Sequence, residues 1–531
     1  MLVLLFLYLS ALALVAVYSL AQLQLALLFL FHKWKAKKNA GKKAAETSLI
    51  APLNSSIAPL NSSVASAFPF VTVQLPIYNE LYVVEDILRA VAAFDYPLEC
   101  LEVQILDDST DETSDIIARI VAEILQLRPQ LSILHKRRAH RAGFKAGALA
   151  EGLLVAKGEY IAIFDADFVP APDFLLRTLP YLLADTGAGL VQTRWTHKNE
   201  NYSILTRMQA FALDAHFSVE QWGRSRSGFF INFNGTAGVW RRACIEASGG
   251  WSSDTLTEDL DLSYRAQIAG WRLLYRDDIC TPAELPIAMP AIKTQQYRWN
   301  KGAAEVARKM LGRLFFAPNI SFMQRLNGFA HLLNSSLFVL IFVITVLSVP
   351  VGLGAMEYPE YTFYYGLGRA LGATLGVVVF FFGVSFFAWR RFDLANFWAL
   401  LWRLPIFLAT MYGLGLFNTL AVVAGWAGRK SPFVRTPKYN LVTGGAGGAG
   451  QWLAGDYAAL RLSNLWYAEV FLLLYFLSAV VAGLWLNELS SILLYILVAF
   501  GYGLVVGYEW LQVRAARRFA QKNKSVAAAT S

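Results

Sequence analysis

Residues Leu2–Phe31 form an apolar run without one Asp, Glu, Lys or Arg, and similar runs recur near Leu332–Val351, Leu371–Trp389, Leu465–Leu486 and Ile492–Leu511. About 20 such residues cross a bilayer as a helix. Between the first run and the rest lies a long stretch of ordinary charge. A chain divided in this way has one economical arrangement, a soluble unit inserted among membrane-spanning helices. Composition agrees. Of the 531 residues 56% are hydrophobic and 16% charged, against about 25% charged in a typical soluble domain.

The formal net charge of +9 is placed where a membrane would use it. Lys33, Lys35, Lys37, Lys38, Lys42 and Lys43 follow the first apolar run, and Arg514, Arg517, Arg518, Lys522 and Lys524 follow the last. Basic flanks of this kind mark cytoplasmic helix ends, so the N-terminus is expected outside and the C-terminus inside. The same placement argues against a nucleic-acid surface. Leu2–Phe31 lacks the basic start of a cleaved signal and is too long for its apolar core, so it reads as an anchor. Leu394–Gly428 is apolar but interrupted by Arg403 and Pro405. Laid along the inner leaflet as an interfacial helix it keeps the parity of about five spans. Cys100, Cys244 and Cys280 are odd in number and far apart, with no disulfide framework or metal-ligand spacing.

The expected organisation is an anchor (1–32), a basic and low-complexity linker (33–67), a soluble domain (68–315) and an interfacial helix with two spans (316–393). The apolar interfacial segment (394–428), a loop (429–462), two spans (463–512) and a basic tail (513–531) complete it. The linker contains IAPLNSS twice, at Ile50–Ser56 and Ile57–Ser63, which reads as a flexible tether. Its Asn-Ser-Ser sites are formal glycosylation acceptors, but the topology puts them on the cytoplasmic side.

Within the soluble stretch, strand and helix patterns alternate. Val71–Leu75, Val103–Leu106, Leu131–His135 and Tyr160–Phe164 read as buried strands; Ser114–Leu127, Gly143–Ala156 and Pro172–Leu183 read as helices. This alternation predicts a doubly wound parallel α/β sheet, which binds ligands beyond the carboxyl ends of its strands. Acids occupy those ends: Asp107-Asp108 after one strand, Asp165-Ala166-Asp167 after another. Each could be a turn former. Two such sites on one sheet edge suit Mg²⁺ or Mn²⁺ bridging a diphosphate, whose departing charge the metal would neutralise. Lys145, at the start of a helix, is ill placed for the macrodipole unless an anion sits there. Thr257-Glu258-Asp259 opens another helical pattern. Acids are commonplace there, yet Asp259 could accept the proton of an attacking sugar hydroxyl, one carboxylate sufficing for inversion. Gln295-Gln296-Tyr297-Arg298-Trp299 stands just before the membrane region. Trp299 could be an interfacial anchor or a stacking surface for sugar, and Arg298 a fork for phosphate.

Taken in order, these elements resemble the processive family-2 glycosyltransferases: cellulose, chitin and hyaluronan synthases, and most closely the cellulose-synthase-like mannan and glucan branch. That family carries Asp, Asp-x-Asp, Thr-Glu-Asp and Gln-x-x-Arg-Trp, which appear here as Asp108, Asp165/Asp167, Thr257–Asp259 and Gln295/Arg298/Trp299. The resemblance spans about Val71 to Leu311 and implies a GT-A fold with a parallel or mixed sheet. It implies that Tyr78 and Glu80, with Asp107 or Asp108, hold the nucleotide. Lys145 and Asp165 would contact the donor, Asp165 and Asp167 the metal. Asp259 would be the general base beside Glu258, and Gln295, Arg298 and Trp299 would hold diphosphate and acceptor. Phe233-Asn234-Gly235-Thr236 is similar to the family's acceptor-side loop, and Val191–Trp195 is expected in the same pocket. Ser431–Lys438, with Phe433, Arg435, Thr436 and Lys438, resembles its gating loop, a lid that keeps water from the loaded donor.

The function implied is polymerisation of a β-linked glycan from UDP-glucose or GDP-mannose, with export through the chain's own helices. The membrane would be a bacterial inner membrane or a Golgi-type one, and the catalytic domain cytoplasmic. A glycolipid-forming enzyme resembling ceramide glucosyltransferases is the alternative, and a non-catalytic transporter subunit a more distant one. Because the chain ends after a short basic tail, the cyclic-dinucleotide-binding domain of some bacterial cellulose synthases is not expected.

Overall fold

Short runs rich in Val, Ile and Leu become the strands of a sheet whose central members are buried on both faces under helices. In the computed structural model, which describes residues 1–46, 68–441, 461–487 and 489–530, they are β1 (Val71–Ile77), β2 (Leu101–Asp107), β3 (Ser132–Arg137) and β4 (Tyr160–Ile163). Further along the chain come β5 (Ala188–His197), β6 (Gly238–Arg241) and β7 (Arg272–Ala283). The IAPLNSS repeats and residues 442–460 of the expected loop lie outside the described residues.

The order across the sheet is β3-β2-β1-β4-β6-β5-β7. β1 is parallel to both β2 and β4, whereas β6 runs antiparallel between β4 and β5. The sheet is therefore mixed. The chain proceeds from β1 outward to β3, then returns to the other side of β1 as β4. That reversal leaves a crevice at the carboxyl ends of β1 and β4, where such sheets bind ligands. Tyr78–Glu80 leave β1 and Asp165–Asp167 leave β4 at this crevice. Apolar layers close both faces, one around Ile87, Ile120, Phe174 and Leu182, the other around Leu149, Phe217, Trp240 and Leu262. Burying each such side chain contributes about 1.5–3 kcal/mol.

Six described helices are long and apolar enough to cross a membrane: Leu2–Lys38, Asn334–Glu357, Pro359–Trp389, Leu394–Gly413, Trp466–Trp485 and Ile492–Phe519. The first continues as helix to Glu46, past the boundary expected at residue 32. The segment expected to be a single interfacial helix is two, Leu394–Gly413 and Gly415–Trp426. By length and composition the former adds one span to the five expected. Its middle, however, is tied to the soluble domain. Arg403 Nη1 donates to Glu200 Oε1 at 2.7 Å, and Arg390 bridges Glu200 and Asp214 at 3.2 and 2.9 Å.

Joining the two halves of the molecule is a 28-residue helix, Met289–Phe316, started by Pro290, which lacks the N–H that a first turn leaves unused. It carries Gln295, Arg298 and Trp299.

Candidate active site

The crevice is lined by the strand ends, by the starts of two helices, by Met289–Phe316 and by a segment from far down the chain. Lys145 lies in the first turn of helix Phe144–Val155. Its Nζ donates to Asp165 Oδ1 at 2.5 Å and to the Gly235 carbonyl at 2.9 Å. Its unfavourable place on the helix dipole is thus offset by the acids facing it: burial opposes its charge, but Asp165, Glu258 and Asp259 hold its pKa above the ordinary value. Gly235 has φ +82°, and a Cβ there would sit 3.0 Å from Asp259 Oδ2. A side chain is excluded, so the backbone approaches the acid directly.

Hydrogen bonds to buried side chains fix the loop around Gly235. The Asn234 amide donates to Gln192 Oε1 (2.9 Å), and Asn234 Oδ1 accepts from Gln221 (2.7 Å). Thr236 is fully buried, outside the cavity wall, where its Oγ1 accepts the Asp165 N–H at 2.9 Å. Asn79, Phe144 and Ala237 all have positive φ without being glycine. Backbone held in this region tends to gather at functional sites.

Glu258 and Asp259 begin helix Glu258–Ile268. Burial, and then the charge of Glu258, push the Asp259 carboxyl up to about 7. Glu258 is itself raised, again chiefly by burial. Asp259 Oδ1 accepts the N–H of Leu260 at 2.8 Å, so the carboxylate is oriented by its own helix. Arg298 faces the same cavity. Burial lowers its pKa, while Asp165, Glu258, Asp259 and Asp167 draw on its charge in the opposite direction.

A segment more than one hundred residues further on closes the crevice. Phe433 stacks on Phe144 (5.7 Å) and lies beneath the guanidinium of Arg298 (4.5 Å). Arg435 makes a forked pair with Glu80, at 2.9 and 2.7 Å. Burial nonetheless raises Glu80 to about 7, against the pull of Arg435. Lys438 Nζ is 2.7 Å from Asp167 Oδ2 and also donates to the Glu284 carbonyl. The Glu284 carboxylate accepts the N–H groups of Tyr439 and Asn440 at 3.1 and 2.8 Å, pinning the end of the segment.

Tyr78, Glu80, Asp108, Lys145, Asp165, Asp167, Asn234, Gly235, Glu258, Asp259, Gln295, Arg298, Trp299, Phe433, Arg435, Thr436 and Lys438 all line this one cavity. Asp107, expected at a nucleotide, does not. It is 1% exposed, and its carboxylate accepts from the Ser109 amide (2.8 Å) and Ser114 hydroxyl (2.7 Å) and meets His135 at 3.0 Å. Against its burial, those hydrogen bonds bring its pKa down to about 2. Asp108 reaches the wall with both oxygens already engaged by Arg138, at 2.8 and 2.5 Å.

Among the wall and support residues with no role in the sequence reading are Arg138, Arg141 and Glu284. Arg141 stacks on Tyr78, 3.3 Å from the ring centre. A legible signal was the basic cluster Lys136–Arg138 and Arg141 closing the third strand, beside the acids of the second. Trp195 lines the wall, as does His197 at the end of β5.

Among the described residues no group of three or more His, Cys, Asp or Glu is arranged to hold a metal. Asp165 and Asp167 are both present at the wall, each ion-paired with a lysine.

Residues 69–302 match the family model described as glycosyltransferase-like family 2. Among curated proteins, the chain is 41% identical over 263 residues to glucomannan 4-beta-mannosyltransferase 7 of Arabidopsis thaliana, covering 49% of this chain and 47% of that one. It is 42% identical over 265 residues to glucomannan 4-beta-mannosyltransferase 1 of Oryza sativa subsp. japonica, covering 49% and 51%. The chain spans about half the length of the curated relatives it matches. Among solved structures, a mannosyltransferase from Pyrobaculum calidifontis in complex with GDP-Man and Mn²⁺ superposes with a TM-score of 0.48 at 20% identity, over 78% of this chain and 99% of that one.

Proposed function

We propose that this chain, whose residues 69–302 match the glycosyltransferase-like family 2 model, is an inverting, processive enzyme that builds a β-linked mannan or glucomannan. GDP-mannose is the donor, and UDP-glucose a second donor. The relatives named as glucomannan 4-beta-mannosyltransferases support this sugar class. One observation carries the reading: Asp259, the Asp165/Asp167 pair and Gln295/Arg298/Trp299 converge on one cavity closed over by Phe433, Arg435 and Lys438.

In this reading Tyr78, Glu80 and Asp108 receive the nucleotide, with Arg141 stacked behind Tyr78. Lys145 and Arg298 hold the diphosphate. Asp165 and Asp167 hold Mg²⁺ or Mn²⁺; two carboxylates suffice for a cation that fills its other positions with water and phosphate oxygens. The bound metal supplies charge neutralisation to the departing diphosphate. Trp299 and the Asn234–Gly235 backbone flank the acceptor sugar. Asp259 takes the proton of the acceptor hydroxyl as its oxygen bonds to the anomeric carbon and the bond to the nucleoside diphosphate breaks. Phe433, Arg435, Thr436 and Lys438 form the lid that excludes water. The domain faces the cytoplasm, and helix Leu394–Gly413 lies along the inner face rather than crossing; the Arg403–Glu200 pair supports that placement, and the polymer leaves through the remaining helices.

Full-length protein in lipid vesicles with radiolabelled GDP-mannose, UDP-glucose or both, and Mg²⁺ or Mn²⁺, tests the reading. Ethanol-insoluble product cut by a β-mannanase is the expected result. Label confined to the organic phase would instead identify a glycolipid-forming enzyme and overturn it.

A base must be ionised to act, so a carboxyl at about 7 makes transfer decline as pH falls through that value. Profiled from about pH 5 to about pH 9, kcat/KM should rise to a plateau with its midpoint near neutrality, the midpoint belonging to the Glu258–Asp259 pair. A profile flat across neutrality would remove Asp259 from the base role. The lid is tested by Lys438→Ala. Loss of the Asp167 contact should raise donor hydrolysis relative to transfer by about tenfold; an unchanged ratio means that Lys438 does not hold the lid.

A further inference from the structure

Lys293 sits in the first turns of helix Met289–Phe316, in a place the proposed chemistry does not use. Its Nζ is 2.6 Å from Glu469 Oε2 and 2.6 Å from Glu509 Oε2. All three side chains are at most 2% exposed. Glu469 belongs to helix Trp466–Trp485 and Glu509 to Ile492–Thr530. The other oxygen of Glu509 accepts the Ser463 N–H at 2.5 Å, just before helix Trp466–Trp485. One turn on, Gln512 accepts the Met289 N–H (2.8 Å) and donates to the Ile287 carbonyl (3.1 Å), capping the start of the same helix.

Replacing buried ionic triads by apolar groups of similar volume is commonly neutral or stabilising, so stability alone does not account for this one. What such a cluster supplies is direction. At about 100° per residue, Lys293 and Arg298 lie roughly 140° apart around their helix. One face is bolted to the last two membrane helices while the other presents Arg298 to the cavity.

We propose that Lys293, Glu469 and Glu509, with Gln512, are positioning residues. They hold the helix carrying Gln295, Arg298 and Trp299 at a set height against the last two membrane helices, with the Ser463 N–H fastened to the same Glu509. The residues that face the acceptor end are thereby set from one joint. The inference rests on the polymerase reading above for its catalytic consequence, but its geometric content does not.

The test uses the full chain in lipid vesicles with GDP-mannose, Mg²⁺ and, separately, GDP. Lys293→Met alone leaves two buried carboxylates uncompensated and is expected to fold poorly. The charge-neutral triple variant Lys293→Met/Glu469→Gln/Glu509→Gln, and Gln512→Ala, keep the question answerable. In the triple variant GDP binding should be unchanged, while product length falls and the hydrolysis-to-transfer ratio rises about tenfold, since small misplacements at a reacting centre are that costly. Lys293→Arg, which keeps a cation for both carboxylates, should leave the ratio near wild type, and Gln512→Ala should move it in the same direction as the triple variant. Wild-type product length and ratio in a folded triple variant would overturn the proposal. Spin labels replacing the exposed Arg313 and Leu511 read the joint directly. Their distance distribution should broaden in the triple variant whichever sugar the enzyme uses; an unchanged distribution overturns the positioning role, even for a protein that polymerises neither donor.

Discussion

Asp259→Asn should lower sugar transfer by about 10²–10⁴-fold, the range for loss of a positioned general base, with GDP affinity nearly unaltered. Asparagine keeps the size of the side chain and an oxygen for the Leu260 N–H that orients it. What it removes is the ability to take a proton. Burial beside Glu258 already places this carboxyl at about 7, where it is basic enough to accept a proton and still largely ionised slightly above neutrality. The near-neutral limb of the pH profile should vanish with it. Turnover within about tenfold of wild type would sink the assignment, and the base would have to be sought elsewhere in the cavity.

Arg298→Ala should be nearly as damaging, lowering kcat/KM by about 10²–10³-fold, as does the loss of a donor aimed at developing charge. In the closed cavity this guanidinium interacts with Asp165, Asp167, Glu258 and Asp259 at once. Without it those carboxylates face one another with Lys145 and Lys438 as the nearby cations. The midpoint of the Glu258–Asp259 pair should then move upward, because a like-charged cluster has lost a counter-charge. The arriving diphosphate also loses a forked donor. Arg298→Lys would restore charge without the fork, so a partial recovery is expected. Full recovery in the lysine variant would reduce the role of Arg298 to charge alone. The stack of Arg298 on Phe433 adds a second consequence, since the lid loses a surface to close upon.

How far the site could be read in advance depended on distance along the chain. Asp165 and Asp167 were legible because a buried apolar strand followed at once by acids is a local pattern, and strand ends are where such sheets bind ligands. Asp107 and Asp108 follow the same pattern, yet they part company in space. One turns inward to Ser109, Ser114 and His135, and the other reaches the wall already held by Arg138. Alternation along a strand decides which neighbour faces which side, and two adjacent acids give no local sign of it. β5, β6 and β7 were not read as strands; β6, four residues long and antiparallel to its neighbours, carries little periodicity of its own.

By itself, then, the sequence determined the division into long apolar helices and an α/β domain, the strand-end acids, and the order of motifs that resembles the family-2 glycosyltransferases. These follow from apolar run length, side-chain period and local turn chemistry, all expressed within a few residues. The tertiary structure alone decided that Arg435 reaches Glu80, 355 positions away, that Lys438 stands against Asp167, and that Lys293 joins Glu469 to Glu509. It also decided that a segment read as one interfacial helix is two, anchored by Arg403 to Glu200. Charges of opposite sign are common in any sequence. Which of them meet is settled by burial, because a desolvated charge must find a partner wherever the fold provides one.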